Sequence, residues 1–292
     1  MKQRWLADGA LLFVVAIWGA TFVMVKEAVS AFPVFAFLFI RFTIAALSLL
    51  PLIPYLERSF PSFAPSRPGA GRRALLAGMV LGVALTAGYA FQTFGLRYTT
   101  PAKAGFITGL SVVIVPVLSV LLLRRPPEPP VWVGGIMATV GLAVLSLNRD
   151  LSPQRGDVLV FFCAVAFALH ILITGLFARG HPPLRLTLGQ LVMVAALSGG
   201  AGRLWEGPWP PIAPHVWLAA GFTGVLASTL AFTVQTVAQR HTSPSHTALI
   251  FSMEPVFAAL FSYLLIGEPI TPRVMLGGGF IIAGMIVAER GG

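Results

Sequence analysis

The sequence predicts an all-α integral membrane protein, with ten transmembrane helices arranged as two inverted five-helix repeats around a central cavity. Three observations carry that expectation. The 292 residues are 57% hydrophobic and only 10% charged, too little polar surface to coat a soluble globule. The apolar residues fall into ten stretches, most of them near the roughly 20 residues a helix needs to cross the hydrocarbon core. Finally, residues 77–144 overlie residues 220–287 without a gap when the chain is slid by 143 positions, which marks an internal repeat. Gln92-Thr93 then falls on Gln235-Thr236, Arg97-x-Thr99-x-Pro101 on Arg240-x-Thr242-x-Pro244, and Gly134-Gly135 on Gly277-Gly278.

The stretches can be taken in order. Span one, 6–25, follows Lys2 and Arg4, a start that also suits a signal peptide. No small-residue cleavage site follows and nine more spans do, so it reads as a retained helix. Span two, 33–54, carries Arg41 and leads into the longest connection, the Pro- and Arg-rich 57–73. Span three, 74–96, contains Gly78-x-x-x-Gly82, and span four, 102–123, contains Gly105-x-x-x-Gly109. Together with Gly277 to Gly279, these small residues suit close helix packing or a sliding role in a transport cycle. Span five, 131–147, closes the first set. Span six, 158–176, and span seven, 184–202, precede a polar excursion whose Trp205 and Trp209 suit the membrane interface. Spans eight to ten are 216–238, 247–266 and 274–288. Pro116 in span four and Pro255 in span nine each remove a backbone donor, giving a kink or an opening of backbone toward a cavity. No stretch alternates polar and apolar residues as a barrel strand does.

The 143-residue offset carries spans three, four and five onto eight, nine and ten, so each repeat holds five helices. An odd number of crossings inverts the second repeat, an arrangement that secondary transporters use for alternating access to a midplane site. The expected organisation is repeat one over 1–147, a linker over 148–155 and repeat two over 156–292. Asp8 and Asp157 make a looser match, with Trp18-Gly19 opposite Phe167-Ala168. The net charge of +10 reads as topogenic arginine and lysine, not as a nucleic-acid surface. With the N-terminus inside, twelve Lys and Arg residues face the cytoplasm and seven face out, which favours two cytoplasmic termini. The single cysteine, Cys163, lies in span six and can form no intrachain disulfide.

Ionisable groups inside hydrocarbon are costly and each needs a reason. Glu254 is either a structural carboxylate bonded to a neighbouring helix, a proton site or a contact for a substrate ammonium. Arg41 pairs with a carboxylate or caps carbonyls. His170 is a neutral, hydrogen-bonded core residue or a cavity ligand. Gln92 and Gln235, equivalent in the repeat, form an interhelical hydrogen bond or a pair of amides for a polar ligand. Trp18 lies mid-membrane, away from the interface tryptophan prefers; with Tyr89 and Tyr263 it suits a pocket that stacks on a flat substrate. Phe22, Phe91 and Phe106 are as compatible with lipid. Nucleotide-binding and zinc-protease signatures are missing and no acidic cluster occurs, so neither an enzyme, a cofactor nor a metal site is expected.

Trp18-Gly19-Ala20-Thr21-Phe22 with Lys26, Arg41-Phe42, Glu254-Pro255, and Leu265-Ile266-Gly267-Glu268 ahead of Gly277 and Gly284 resemble the EamA-type drug/metabolite transporters. The resemblance covers nearly the whole chain and is similar above all to bacterial inner-membrane exporters of aromatic and other neutral amino acids. It implies a basket of ten helices around a central cavity, and export without ATP hydrolysis. Two places depart from the pattern of a symmetric pair: Ser111-Val112 stands opposite Glu254-Pro255, and Arg124-Arg125 opposite Gly267-Glu268. The expected activity is outward transport of a neutral amino acid, preferably aromatic. Trp18, Tyr89 and Phe106 would supply stacking contacts, and Gln92, His170, Gln235, Ser252 and Glu254 the polar groups for a zwitterion. Small-molecule substrate and lipid are the expected partners; a monomer suffices and a dimer is compatible. A broad exporter of lipophilic cations and a non-transporting membrane subunit are the alternatives.

Overall fold

In the computed structural model, residues 2–124, 126–146, 154–266 and 269–289 are described, and every regular element among them is a helix. Most of the expected linker, Arg125, and Gly267-Glu268 lie outside the described residues. The α-helices are α1 (Lys2–Gly19), α2 (Phe22–Ala31), α3 (Val34–Leu49), α4 (Leu52–Ser59), α5 (Ala70–Leu96), α6 (Pro101–Gly109), α7 (Ser111–Leu123) and α8 (Pro129–Ser146). They continue with α9 (Arg155–Ala178), α10 (Pro183–Trp205), α11 (Pro214–Gly224), α12 (Ala231–Ala238), α13 (Pro244–Phe251), α14 (Glu254–Ile266) and α15 (Pro272–Glu289).

Five helical segments are long and apolar enough to cross a membrane, and seven when each of two bent pairs counts as one span. The bent pairs explain why some apolar stretches break. α1 and α2 meet at 42° across Ala20-Thr21, where the Thr21 hydroxyl donates to the Trp18 carbonyl at 2.8 Å and diverts that acceptor from the helix ladder. α3 and α4 meet at 44° beside Pro51, which has no N–H to continue the ladder. Span nine divides at Ser252-Met253, and Pro255 sits in the first turn of α14, where a missing donor is harmless. Pro116 is accommodated inside α7. Between α11 and α12, residues Val225–Leu230 widen into a π-helix, a local register change that no sequence feature announced.

Close backbone contact holds the helices together. A Cβ on Gly134 would meet the Gly284 carbonyl at 2.4 Å, and one on Gly141 would meet the Gly277 carbonyl at 2.5 Å, so α8 and α15 cross backbone to backbone. α5 and α10 meet at Gly78 and Gly189, 3.0 Å from a built Cβ to the opposing Cα, and Gly109 abuts Leu142. Gly105 and Gly278 meet nothing closer than 3.6 Å, and Gly279 meets open space, so the small-residue motifs are only partly packing motifs. The outward faces are apolar, with Phe13, Leu47, Val80, Leu121, Ile136, Phe161, Leu218 and Ile286 exposed, as a lipid-facing surface requires.

Polar contacts recur between the two parts of the chain. Arg97 donates to the carbonyls of Val29 at 3.0 Å and Phe32 at 2.9 Å. Arg240, 143 positions later, donates to Ala178 at 3.1 Å and His181 at 3.5 Å, residues that follow Val29 and Phe32 by 149 positions. Partial burial lowers the pKa of Arg240 from its ordinary value. Two ion pairs have the same relation. Lys103 lies 3.9 Å from Asp157, and His246 lies 3.2 Å from Asp8, the latter without hydrogen-bond alignment to either carboxylate oxygen. Asp157 is in the first turn of α9, while Gly175 in its last turns touches Pro244 at the start of α13. The 24 residues of α9 span about 36 Å, so the two ion pairs occupy opposite ends of the bundle.

Candidate functional site: a central ampholytic cavity

A cavity of about 70 Å³ lies between the two parts of the chain. Six aromatic rings line it: Trp18, Phe22, Tyr89, Phe167, Phe232 and Phe251. Trp18 ends α1 just before the break, and its indole N–H donates to the Ala227 carbonyl at 2.9 Å within the π-helical turn. The ring packs edge-on to Phe251 at 4.9 Å and tilted to Phe232 at 5.8 Å. Gly19 makes this placement possible, since a Cβ there would stand 2.9 Å from the Glu254 carbonyl. Tyr89 meets Phe167 at 5.3 Å and Phe42 at 5.0 Å. Under the 149 and 143 offsets Trp18 corresponds to Phe167 and Tyr89 to Phe232, so the Trp18–Phe232 and Tyr89–Phe167 contacts are equivalents.

The polar lining contains a guanidinium and a carboxyl group. Arg41, 3% exposed, donates from Nε to the Ser228 hydroxyl at 3.0 Å and from Nη2 to the Tyr89 hydroxyl at 3.2 Å. Its guanidinium carbon stands 4.6 Å from the Tyr89 ring centroid and 5.2 Å from that of Phe42. Glu254, at the start of α14, lines the same cavity. Gln92 donates to Thr108 at 3.4 Å and Gln235 to Gln239 at 3.2 Å, which leaves the Gln235 carbonyl oxygen buried without a partner. His170 shares a 2.7 Å hydrogen bond with Gln190 and stands 5.8 Å from Phe232.

Of the residues expected from sequence, Trp18, Tyr89, Gln92, His170, Gln235 and Glu254 line the cavity. Phe106 does not; it is half-buried against the cluster around Val112 and Leu249. Ser252 is fully buried and its hydroxyl donates to the Leu249 carbonyl at 2.6 Å, occupied in closing α13. Tyr263 is 49% exposed on the outer surface, away from the cavity. Arg41, Phe167, Phe232 and Phe251 also line the cavity. Arg41 carried a signal, a charge deep in an apolar span, whereas the phenylalanines carried none in a chain with 22 of them. Among the described residues no group of three or more His, Cys, Asp or Glu side chains is placed to hold a metal ion.

An apolar-coated helical bundle enclosing a polar and aromatic chamber defines a multi-pass membrane protein. The EamA-like transporter family matches residues 5–147 and again residues 154–289, and the chain belongs to that family. It is 32% identical to an uncharacterized transporter of Archaeoglobus fulgidus over 287 residues, covering 98% of this chain and 87% of that one. It is 28% identical to the threonine/homoserine exporter RhtA of Escherichia coli K12 over 177 residues, 58% of this chain and 57% of that protein. A solved crystal structure, 20% identical, superposes with a TM-score of 0.76 over 96% of this chain and 95% of the other. Its likeness concerns the fold. The protein is a transporter-family member and not an enzyme.

Proposed function

We propose that this protein is a secondary carrier of the bacterial inner membrane that exports neutral, preferentially aromatic, amino acids by alternating access. Ten spans form two inverted repeats, 1–147 and 156–292 joined by 148–155, with both termini cytoplasmic. Ion pairs at the two ends of the bundle, Lys103–Asp157 and Asp8–His246, then join the repeats on opposite faces of the membrane, where alternate breakage opens the cavity to one side at a time. The observation that carries the substrate class is the chamber itself, six aromatic rings around a small set of amide and charged groups. Rings of this kind stack on an aromatic side chain, and the polar groups suit a zwitterionic backbone. The relative RhtA, a threonine/homoserine exporter, supports amino acids as a class, and the aromatic rings of the chamber support the aromatic preference. Trp18 and Tyr89 supply stacking, Gln92, His170, Gln235 and Glu254 polar contacts, and one copy of the chain suffices.

The test is counterflow of labelled phenylalanine into proteoliposomes loaded with unlabelled phenylalanine, threonine, lysine or a lipophilic cation, without an imposed proton gradient. Exchange driven by phenylalanine and threonine, and not by the cation, is expected. Folded protein that exchanges no amino acid refutes the proposal.

A further inference from the structure

We infer that Arg41 is the cargo's carboxylate anchor, so that the cavity selects zwitterions and discriminates against lipophilic cations. The inference rests on the amino-acid carrier reading and deepens it. Arg41 lines the cavity, yet among the described residues no carboxylate lies within 4.0 Å of it. Its hydrogen-bond acceptors are the neutral hydroxyls of Ser228 and Tyr89. A buried guanidinium facing only dipoles and ring faces is incompletely compensated, because burying a charge is costly until an opposite charge is paired with it.

The orientation of the fork identifies the missing group. Nε and one Nη2 hydrogen are held by Ser228 and Tyr89, and the rings of Tyr89 and Phe42 lie together to one side of the guanidinium. The second Nη2 hydrogen and the Nη1 edge remain to meet a carboxylate end-on, in the bidentate geometry that guanidinium favours. Ser228 belongs to the π-helical turn that also receives the Trp18 indole, so one irregular element positions both the cation and a stacking ring.

The opposite charge comes from the other part of the chain. Glu254 has no ion pair among the described residues, and the unpartnered Gln235 carbonyl adds an acceptor for an N–H. The counterpart of Arg41 is Gln190, and that of Glu254 is Ser111. Gln190 is already engaged with His170 and, at 3.4 Å, with Thr236. The cavity therefore has one guanidinium and one carboxyl group, not two of each, which matches a ligand with one carboxylate and one ammonium.

The experiment uses the full chain in proteoliposomes and compares phenylalanine with phenethylamine, which lacks the carboxylate, as competitors of phenylalanine exchange. Wild type is expected to prefer phenylalanine by roughly 10- to 150-fold, the range for losing a hydrogen bond to a charged group. Arg41→Met should abolish the preference by weakening phenylalanine and admitting phenethylamine, a gain that a misfolded protein cannot produce. Arg41→Lys keeps the charge without the fork and should retain part of the preference. Tyr89→Phe, which removes only the orienting hydroxyl, should lower it. Equal competition by both compounds in wild type overturns the inference while leaving the carrier standing, as does an unaltered preference in a transporting Arg41→Met variant. No exchange of any amino acid, with phenethylamine exchanged, overturns the amino-acid reading as well.

Discussion

Asp157→Asn should shift the balance between the two access states toward opening at the N-terminal end of α9. Asp157 accepts from the Thr99 hydroxyl at 2.6 Å through one oxygen and from the Gln154 backbone N–H at 2.9 Å through the other, with Lys103 3.9 Å away. The side chains of Lys103 and Asp157 are only 11% and 16% exposed, so solvent screens them weakly. At that separation the Coulomb attraction is about 4 kcal/mol for an effective dielectric near 20, most of which desolvation offsets. A lost hydrogen bond to a charged acceptor costs about 1.5–3 kcal/mol. Asparagine keeps one acceptor oxygen and no charge, so the closed end loses about 2–3 kcal/mol, which is roughly 30- to 150-fold in the access equilibrium. The assay labels a Ser111→Cys probe in the cavity, in a Cys163→Ala background, with a membrane-impermeant maleimide applied to either face of sealed vesicles. Labelling should rise from the face at the start of α9. Asp8→Asn should raise it from the opposite face by less, because the Asp8–His246 pair lacks an aligned hydrogen bond. Changes toward the same face in both variants, or rates within twofold of the parent in Asp157→Asn, would refute the two-ended latch.

Trp18→Ala removes a ring and the indole bond to Ala227, and should impair transport at least tenfold while the protein still inserts; wild-type flux at equal expression would count against a stacking role. Glu254→Gln should weaken phenylalanine about tenfold by removing charge from the hydrogen bond and spare 3-phenylpropanoate, read as competition in the same exchange assay. Gly141→Val places a Cβ 2.5 Å from the Gly277 carbonyl and 2.8 Å from Ile281, so α8 and α15 must part at a cost of about 1–3 kcal/mol. The thermal midpoint in detergent should fall, whereas Gly279→Ala, facing open space, should leave it unchanged; equal midpoints in the two variants would sink the packing argument.

Hydropathy made the helical class legible because a membrane tolerates few spanning structures, and the depth of Trp18, His170 and Glu254 marked them because hydrocarbon penalises polar atoms. Helix phase was the weak point. Residues 247–266 read as one span, but the break at Ser252-Met253 resets the face that each later residue presents, so Tyr263 points outward. Ser252 itself closes α13 and has its hydroxyl engaged there. Phe106 shows the limit of composition: an aromatic ring in a span satisfies lipid, core or cavity equally well, and only the packing of α6 decides for the core. The π-helical turn at Val225–Leu230 escaped detection because its sequence, VLASTL, is compatible with an ordinary helix. Its register is fixed from outside, by the Thr229 hydroxyl donating to the Ala45 carbonyl at 2.8 Å and by Trp18 claiming the Ala227 carbonyl.

The two parts of the chain share their scaffold contacts but not their cavity charges. Arg97 and Arg240 cap equivalent carbonyls, and Gly134–Gly284 and Gly141–Gly277 exchange partners across the α8–α15 crossing. These contacts set helix angles and spacing, which the proposed pair of rocking repeats would need in both halves. At the cavity the same offsets place Gln190 opposite Arg41 and Ser111 opposite Glu254. A symmetric doubling of either charge would put like charges around one low-dielectric chamber, where repulsion is strong. Loss of symmetry there removes that repulsion and gives the chamber a direction, with a guanidinium on the α3 side and a carboxyl on the α14 side. Exchanging the poles in an Arg41→Glu, Glu254→Arg double variant should therefore fail to restore transport: the hydroxyls of Ser228 and Tyr89 are placed to orient a guanidinium on α3, not one on α14. Phenylalanine exchange in the double variant at wild-type rate would show that net charge alone, and not the oriented fork, sets recognition.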